Sequence, residues 1–295
     1  MVGHHAAGTL AAGGKRLRPL LVLICGGSPA AAAVADDDRL LHAATAVELL
    51  HMATLVHDDV LDRAALRRGR PTVVQSGGRG VAVATGDLLL ARAFGELVLS
   101  GSPEAVRALS SASTGLVRGE LMQRADAWSA SVTRARYLER CELKTARLFE
   151  AACRLGALLG EPGPGRADGL GAFGARIGVA FQLLDDVLDI AGPTERTGKP
   201  RGADLLDGTI TLPLILARRS DPSLAALDLR TAVTTPAQAA DVCDRIAATG
   251  ALEEARRQAL DYVKAAKGSL RNLGLSRDRV PALELVANGV VERYA

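Results

Sequence analysis

The sequence predicts an all-α protein built as one large domain, and three observations carry that expectation. Apolar residues recur at helical spacing through most of the 295 residues, and no segment shows convincing strand alternation. The apolar fraction is 48% but aromatics make up only 3%, so the core must be packed with Ala, Leu and Val, a composition that favours helices. No stretch reads as a linker between folding units, so residues 1–295 are expected to form a single domain.

The elements follow in order. From Asp36 to Asp62 the chain is free of Pro and Gly and apolar nearly all round, which marks a helix buried on most faces. Its polar exceptions, Glu48, His51, His57 and the aspartates, therefore need an explanation. After a loop carrying Arg67, Arg68 and Pro71, helices are expected near 81–99, 104–126 and 134–160, the last stopped by the Pro- and Gly-rich stretch 161–165. Another helix should span 166–190. A polar segment at 192–208 then interrupts the pattern, and a long loop in a compact domain is often functional. Helices resume at Thr211 and after Pro236, and continue towards residue 295.

Bulk charge excludes several classes. With 36 basic and 33 acidic residues the formal charge is +3, without the Lys/Arg runs of a nucleic-acid binder. Cys25, Cys141, Cys153 and Cys243 form no CxxC pair, which suggests reduced core residues in a cytoplasmic protein. No stretch approaches the roughly 18–20 uninterrupted apolar residues of a membrane span, and the first residues lack the order of a signal peptide.

The chemistry is concentrated in a repeated pentapeptide. DDVLD occurs at 58–62 and again at 185–189, each time after an apolar helical run. Residues i and i+4 share a helix face, so Asp58 with Asp62, and Asp185 with Asp189, each present two carboxylates one turn apart. Carboxylates at the ends of largely buried helices repel one another unless a cation neutralises them. Hard oxygen donors without Cys or clustered His point to Mg²⁺, which binds through a few carboxylates and substrate phosphates. Positive counterparts lie nearby: Lys15, Arg16 and Arg18 precede a Pro that can open a helix, and Arg67 and Arg68 follow the first DDVLD. Arginine forks suit diphosphate oxygens. Only five of the basic residues are Lys, and Lys15, Lys144 and Lys199 sit in polar, motif-like contexts. The alternative for each element alone is ordinary: a solvated helix end, a basic surface, or, for His51, a histidine satisfied within the core.

Taken together, GGKRLRP (13–19), HDDVLDRAALRRGRPT (57–72), GDLLLARAF, GELMQ (119–123), KTARLFEAA (144–152), FQLLDDVLD (181–189) and TGKPRGADLLDGTITLP (197–213) resemble the trans-isoprenyl diphosphate (polyprenyl) synthases over nearly the whole chain. The resemblance implies a single helical bundle of the isoprenoid synthase type around a deep central cavity, usually a homodimer. It implies that Lys15, Arg18, His51 and Arg68 bind isopentenyl diphosphate. Asp58, Asp62, Asp185, Asp186 and Asp189 would hold Mg²⁺ on an allylic diphosphate, with Asp59 in support. Arg67, Lys144, Thr145, Gln182 and Lys199 would contact the allylic substrate, and Asp204 would help order the site. Catalysis would then rest on Asp58, Asp59, Asp62, Lys144, Asp185, Asp186 and Lys199.

Two departures stand out. The stretch before Gly13 is short, which points to an absent N-terminal helix or a misassigned start, and Thr209 stands where the resemblance leads one to expect Lys. Rival chemistries remain. A class I terpene cyclase shares an aspartate-rich helical scaffold, but such enzymes cage cations with aromatic rings, and this chain has one Trp, three Tyr and four Phe. A metal-dependent phosphohydrolase using His42, His57 and Asp58 would leave the second DDVLD unexplained, and a regulatory subunit should have lost a carboxylate cluster. Small residues at Ala53 and Thr54, above Leu50 and Val47, suggest room for a growing tail and hence a medium to long polyprenyl product, with geranylgeranyl or farnesyl diphosphate as the alternative.

Overall fold

The computed structural model describes residues 2–11, 13–27, 38–67, 69–161, 163–192 and 201–292. Apart from one two-residue hairpin, every regular element among them is helical. The chain divides into two compact units, each drawn from three separate segments: 1–113, 148–171 and 273–283 in the first, and 114–147, 172–272 and 284–295 in the second.

The first unit is organised by a long helix that the sequence marked as buried. Helices α1 (Val2–Ala11), α2 (Leu17–Gly26), α3 (Arg39–Leu61) and α4 (Val73–Val98) make up most of it, and α3 packs against the other three. Most of its positions from Ala43 to Val56 are buried, on several faces at once, as an apolar surface without a polar stripe requires. This is the one described helix long and apolar enough to cross a bilayer, and 56% of its apolar window is covered by the fold. Pairing of α3 with α4 is antiparallel: His42 Nδ1 lies 3.0 Å from Glu96 Oε2, and His57 Nε2 lies 3.4 Å from Asp87 Oδ1. Gly86 makes room for the His57 ring, since a Cβ there would sit 2.2 Å from Nε2. His57 is thus a packing residue.

Helix α4 begins earlier than the periodicity suggested. Thr72 caps it, its hydroxyl accepting from Gln75 N at 3.2 Å, and the helix continues until Gly78, whose φ of 80° breaks it before the regular run resumes. The N-terminal stretch forms α1, which packs on α3 and α4. Later in the chain come α5 (Pro103–Ala125), α6 (Arg134–Cys141), a π-helical turn (Glu142–Ala146) and α7 (Arg147–Leu159), the last three being the continuous helix expected over 134–160.

The second unit is built around α8 (Arg166–Ala191, from Ala172 onward), α9 (Ala203–Leu206), α10 (Leu212–Ser220) and the C-terminal helices. Leu212 to Ala217 of α10 are all buried, against α13 (Pro236–Ala248) and α14 (Ala251–Leu270), which follow the short α11 (Pro222–Ala225) and α12 (Leu229–Ala232). Prolines open α10, α11 and α13, where a missing N–H costs nothing. Thr235 and Gln238 close a capping box on α13. Helix α15 (Arg279–Glu292) ends the described chain. All four cysteines are free and buried. Of the polar segment at 192–208, residues 193–200 lie outside the described residues, and the remainder carries α9.

Candidate active-site elements

In the first unit, DDVLD forms the C-terminal end of α3. Asp58 and Asp59 belong to its last turn, and Asp62 caps it with its N–H on the Asp58 carbonyl at 2.8 Å. Helical rotation separates their roles. Asp58 is partly exposed and Asp62 exposed, whereas Asp59 is turned inward at 4% exposure, where its Oδ1 accepts from Arg67 Nε at 2.7 Å. Arg67 reaches it because the chain turns back at once in a hairpin of Leu66–Arg67 and Arg70–Pro71. Thr72 fastens that turn, donating from Oγ1 to the Ala64 carbonyl at 2.6 Å, while Ala64 N donates to the Asp59 carbonyl. Arg67, expected on the allylic substrate, is therefore joined to the first acidic end; Arg68 lies outside the described residues.

A basic group sits farther back along α3. Arg16, in a left-handed conformation at φ 49°, donates from Nη1 to Glu48 Oε1 at 2.8 Å. Arg18 stacks on the Phe149 ring at 4.4 Å, and its Nε is buried with no hydrogen-bond partner among the described residues. Burial pushes the Arg18 guanidinium down to about 10, a shift that Glu48 partly offsets. A buried cation with an unused donor is suited to an incoming anion. Lys15 is exposed in the loop before α2, and His51, one turn beyond Glu48, is partly exposed. Glu48 to Asp58 is ten residues, about 15 Å along the helix axis. His42 is sixteen residues from Asp58, about 24 Å, and faces Glu96. The phosphohydrolase constellation of His42 with Asp58 is not assembled.

In the second unit, Asp185 and Asp189 are partly exposed and Asp186 is buried at 3%. Asp186 accepts from Tyr137 Oη at 2.6 Å and from Gln182 Nε2 at 2.8 Å, and the Gln182 carbonyl in turn accepts from Thr145 Oγ1 at 2.7 Å. Thr145 and Gln182, both expected at the allylic substrate, thus form one chain with Asp186. Asp189 Oδ2 accepts from Asp204 N at 3.3 Å, which ties α9 to the acidic end. Burial, with the Asp204 charge adding to it, pushes the Asp186 carboxyl up to about 7. The carboxylate donors at this end are all hard oxygens, so the residues fit a divalent ion. Among the described residues no three His, Cys, Asp or Glu side chains converge into a closed cage. An ion that completes its shell with water and phosphate oxygens needs none.

Lys144 lies in the π turn, a distortion frequent at functional sites. Its Nζ is 2.5 Å from Glu120 Oε2 and donates to Gln123 Oε1 at 3.2 Å. The approach of α5 is close at Gly119, where a Cβ would meet the Lys144 backbone nitrogen at 2.5 Å. Thr209 donates its N–H to the Asp204 carbonyl at 2.8 Å. Lys199 lies outside the described residues. Sequence reasoning did not single out Tyr137, Arg140 or Glu120. Tyr137 stands seven residues before Lys144 in a chain with three tyrosines, and that spacing on one helix face was the available signal.

A family model for polyprenyl synthetase matches residues 3–248. The chain belongs to the polyprenyl synthetase family. It is a prenyl transferase of isoprenoid biosynthesis, a family dependent on divalent metal ions. The heptaprenyl diphosphate synthase component 2 of Geobacillus stearothermophilus is 39% identical over 94% of this chain and 86% of its own. The geranylgeranyl diphosphate synthase of Methanosarcina mazei is 37% identical over 88% of this chain and 80% of its own. Among solved structures, a polyprenyl synthase from Caulobacter crescentus complexed with calcium and isoprenyl diphosphate superposes with a TM-score of 0.91 at 38% identity, covering 99% of this chain and 89% of that one. The polyprenyl synthetase fold is thus the all-helical isoprenoid synthase fold that the resemblance implied.

Proposed function

We propose that this polyprenyl synthetase joins an allylic diphosphate to isopentenyl diphosphate with Mg²⁺, and that its product is a medium to long trans-polyprenyl diphosphate. The observation that carries the reading is the duplicated acidic helix end, in which the first and last aspartates are accessible and the middle one is held by internal donors. Lys15, Arg18, His51 and Arg68 bind the diphosphate of isopentenyl diphosphate, with the buried Arg18 guanidinium as the fixed member. Asp58, Asp62, Asp185 and Asp189, with Asp186 behind them and Asp59 in support, would hold the metal on the allylic diphosphate. Mg²⁺ bound there supplies positive charge to the departing diphosphate. Arg67, Lys144, Thr145, Gln182 and Lys199 orient that group, Thr145 through the Gln182 amide that its hydroxyl holds, and the three cations add charge-assisted hydrogen bonds as its C–O bond breaks. The alkene of isopentenyl diphosphate supplies the electron pair of the new C–C bond, and the released diphosphate takes the proton. No protein nucleophile is required.

We assign residues 1–295 to one domain, because four of the five boundaries between the two compact units fall inside helices α5, α7, α8 and α15, and only that at 272/273 falls between helices. The active form is assigned as a cytoplasmic homodimer. A second reading has one specific support: two relatives are each named component 2 of a heptaprenyl diphosphate synthase, so this chain would act with a different subunit. The test is to incubate the purified chain with allylic primers of graded length, isopentenyl diphosphate and Mg²⁺, and to size the dephosphorylated products. Turnover by the chain alone supports the homodimer; turnover only after a second subunit is added supports the other reading. Asp58→Asn and Asp185→Asn should each lower kcat by about a hundredfold or more with an unchanged circular dichroism spectrum. Wild-type rates in both would overturn the two-cluster mechanism.

A further inference from the structure

Asp186 has each carboxylate oxygen engaged by a separate protein donor. Oδ2 takes the Tyr137 hydroxyl at 2.6 Å and Oδ1 takes the Gln182 amide at 2.8 Å, with Thr145 holding the amide from behind at 2.7 Å. Two of these four groups, Tyr137 on α6 and Thr145 in the π turn, come from the stretch that also carries Lys144. The other two lie on α8 one turn apart. The Tyr137 ring is fully buried, with the Arg140 guanidinium 5.3 Å from its centroid, and Arg140 Nη2 is anchored to the Ile210 carbonyl at 2.5 Å. The hydroxyl therefore cannot swing away without dismantling its surroundings.

We propose that Tyr137 is a positioning residue for the second acidic helix end: its hydroxyl, with Thr145 acting through Gln182, fixes the rotation of α8 about its own axis and so aims Asp185 and Asp189. The proposal rests on the function given above and adds a residue to it. Asp186 is rotated about 100° from Asp185 on the helix, so restraining its carboxylate from two sides restrains the direction of the others. Carboxylates lie about 5–6 Å from the axis, so a 10° rotation displaces them by about 1 Å. A misplacement of that size can cost on the order of a hundredfold in rate. The same link couples the acidic end to Lys144, since a shift of the π turn loosens Thr145 and with it Gln182.

The test compares Tyr137→Phe, which removes one hydroxyl and keeps the ring, with Thr145→Val and Thr145→Ser. Binding of Mn²⁺ in the presence of inorganic diphosphate, followed by the electron paramagnetic resonance signal of free Mn²⁺, reads the acidic end without turnover. Tyr137→Phe and Thr145→Val should each weaken Mn²⁺ binding about five- to tenfold and raise the Mg²⁺ concentration for half-maximal rate by a similar factor. The KM for isopentenyl diphosphate should stay within twofold, and Thr145→Ser should return the metal dependence to near wild type. If Tyr137→Phe does not fold, the Val and Ser pair at position 145 decides. Unchanged Mn²⁺ affinity in Tyr137→Phe and Thr145→Val, with only a lower melting temperature, overturns the positioning role. A wild-type chain that binds Mn²⁺ with diphosphate but never condenses the two substrates would instead overturn the proposed function.

Discussion

Lys144 is shared between two acceptors, and the stronger of them is a carboxylate that the sequence reading left unassigned. Burial opposes ionisation of Glu120, but Lys144 and Arg124 more than compensate, and its carboxyl lies below the ordinary glutamate value. A carboxyl whose folded pKa is depressed contributes stability that is present above its unfolded value near 4.5 and is lost as pH falls through the folded value. Glu120→Gln should therefore be less stable than wild type at pH 7, by about 1–2 kcal/mol, and the gap should narrow as pH falls through the depressed folded value of Glu120. Urea midpoints measured at pH 7 and pH 3.5 check this; a gap that widens in acid would contradict it. At this scale the sequence discloses groups that act through spacing within a helix, such as Asp58 with Asp62. It hides Arg67 with Asp59, which meet across a turn, and Tyr137 with Asp186, which are 49 residues apart.

Element by element, α2 and α7 approach more closely than side chains would allow. Gly156 and Gly160 lie one turn apart and face the backbone of α2: a Cβ at Gly156 would sit 2.3 Å from the Val22 carbonyl oxygen, and one at Gly160 would sit 1.7 Å from that of Gly26. Neither obstacle is a flexible side-chain tip, so the helices must separate to accept even a methyl group. Gly160→Ala should cost about 2–3 kcal/mol and should disturb Arg18 and Phe149, which belong to the same helix pair. Thermal denaturation and the KM for isopentenyl diphosphate report the two effects; an Ala variant as stable as wild type would show that the helices part easily. Helix existence was legible here because apolar periodicity is strong. The π turn and the Gly78 break were not, because both leave the periodicity almost intact.

For the molecule as a whole, product length is the property least visible in either sequence or fold. Ala53 is 1% exposed and Leu50 is likewise buried, while Thr54 keeps part of its surface and donates its hydroxyl to the His51 carbonyl at 2.8 Å. A residue beside a growing tail needs accessible surface, so the expectation of a long product rests on Thr54 more than on Ala53. Thr54→Phe should shorten the product distribution by one or more isoprene units while the first condensation stays fast. Ala53→Phe should instead destabilise the fold by about 1–3 kcal/mol through overpacking. Chromatography of the dephosphorylated products separates these outcomes, and an unchanged distribution in active Thr54→Phe would remove the basis for the length assignment. Family membership and the two acidic ends were readable because each is a local motif; the groups that restrain them were not, because they come from distant stretches of chain.

The composition of the first unit has a consequence for how the protein is made. Its last segment, 273–283, follows more than 100 residues assigned to the second unit. A ribosome that has delivered α1 to α4 has made α3 and its three helical partners, but not the later segments, 148–171 and 273–283, that complete the unit. At roughly 5–20 residues per second, the nascent chain spends on the order of ten seconds or more in that unfinished condition. Incomplete units are prone to aggregate, so holding chaperones acting on the emerging chain should raise its soluble yield.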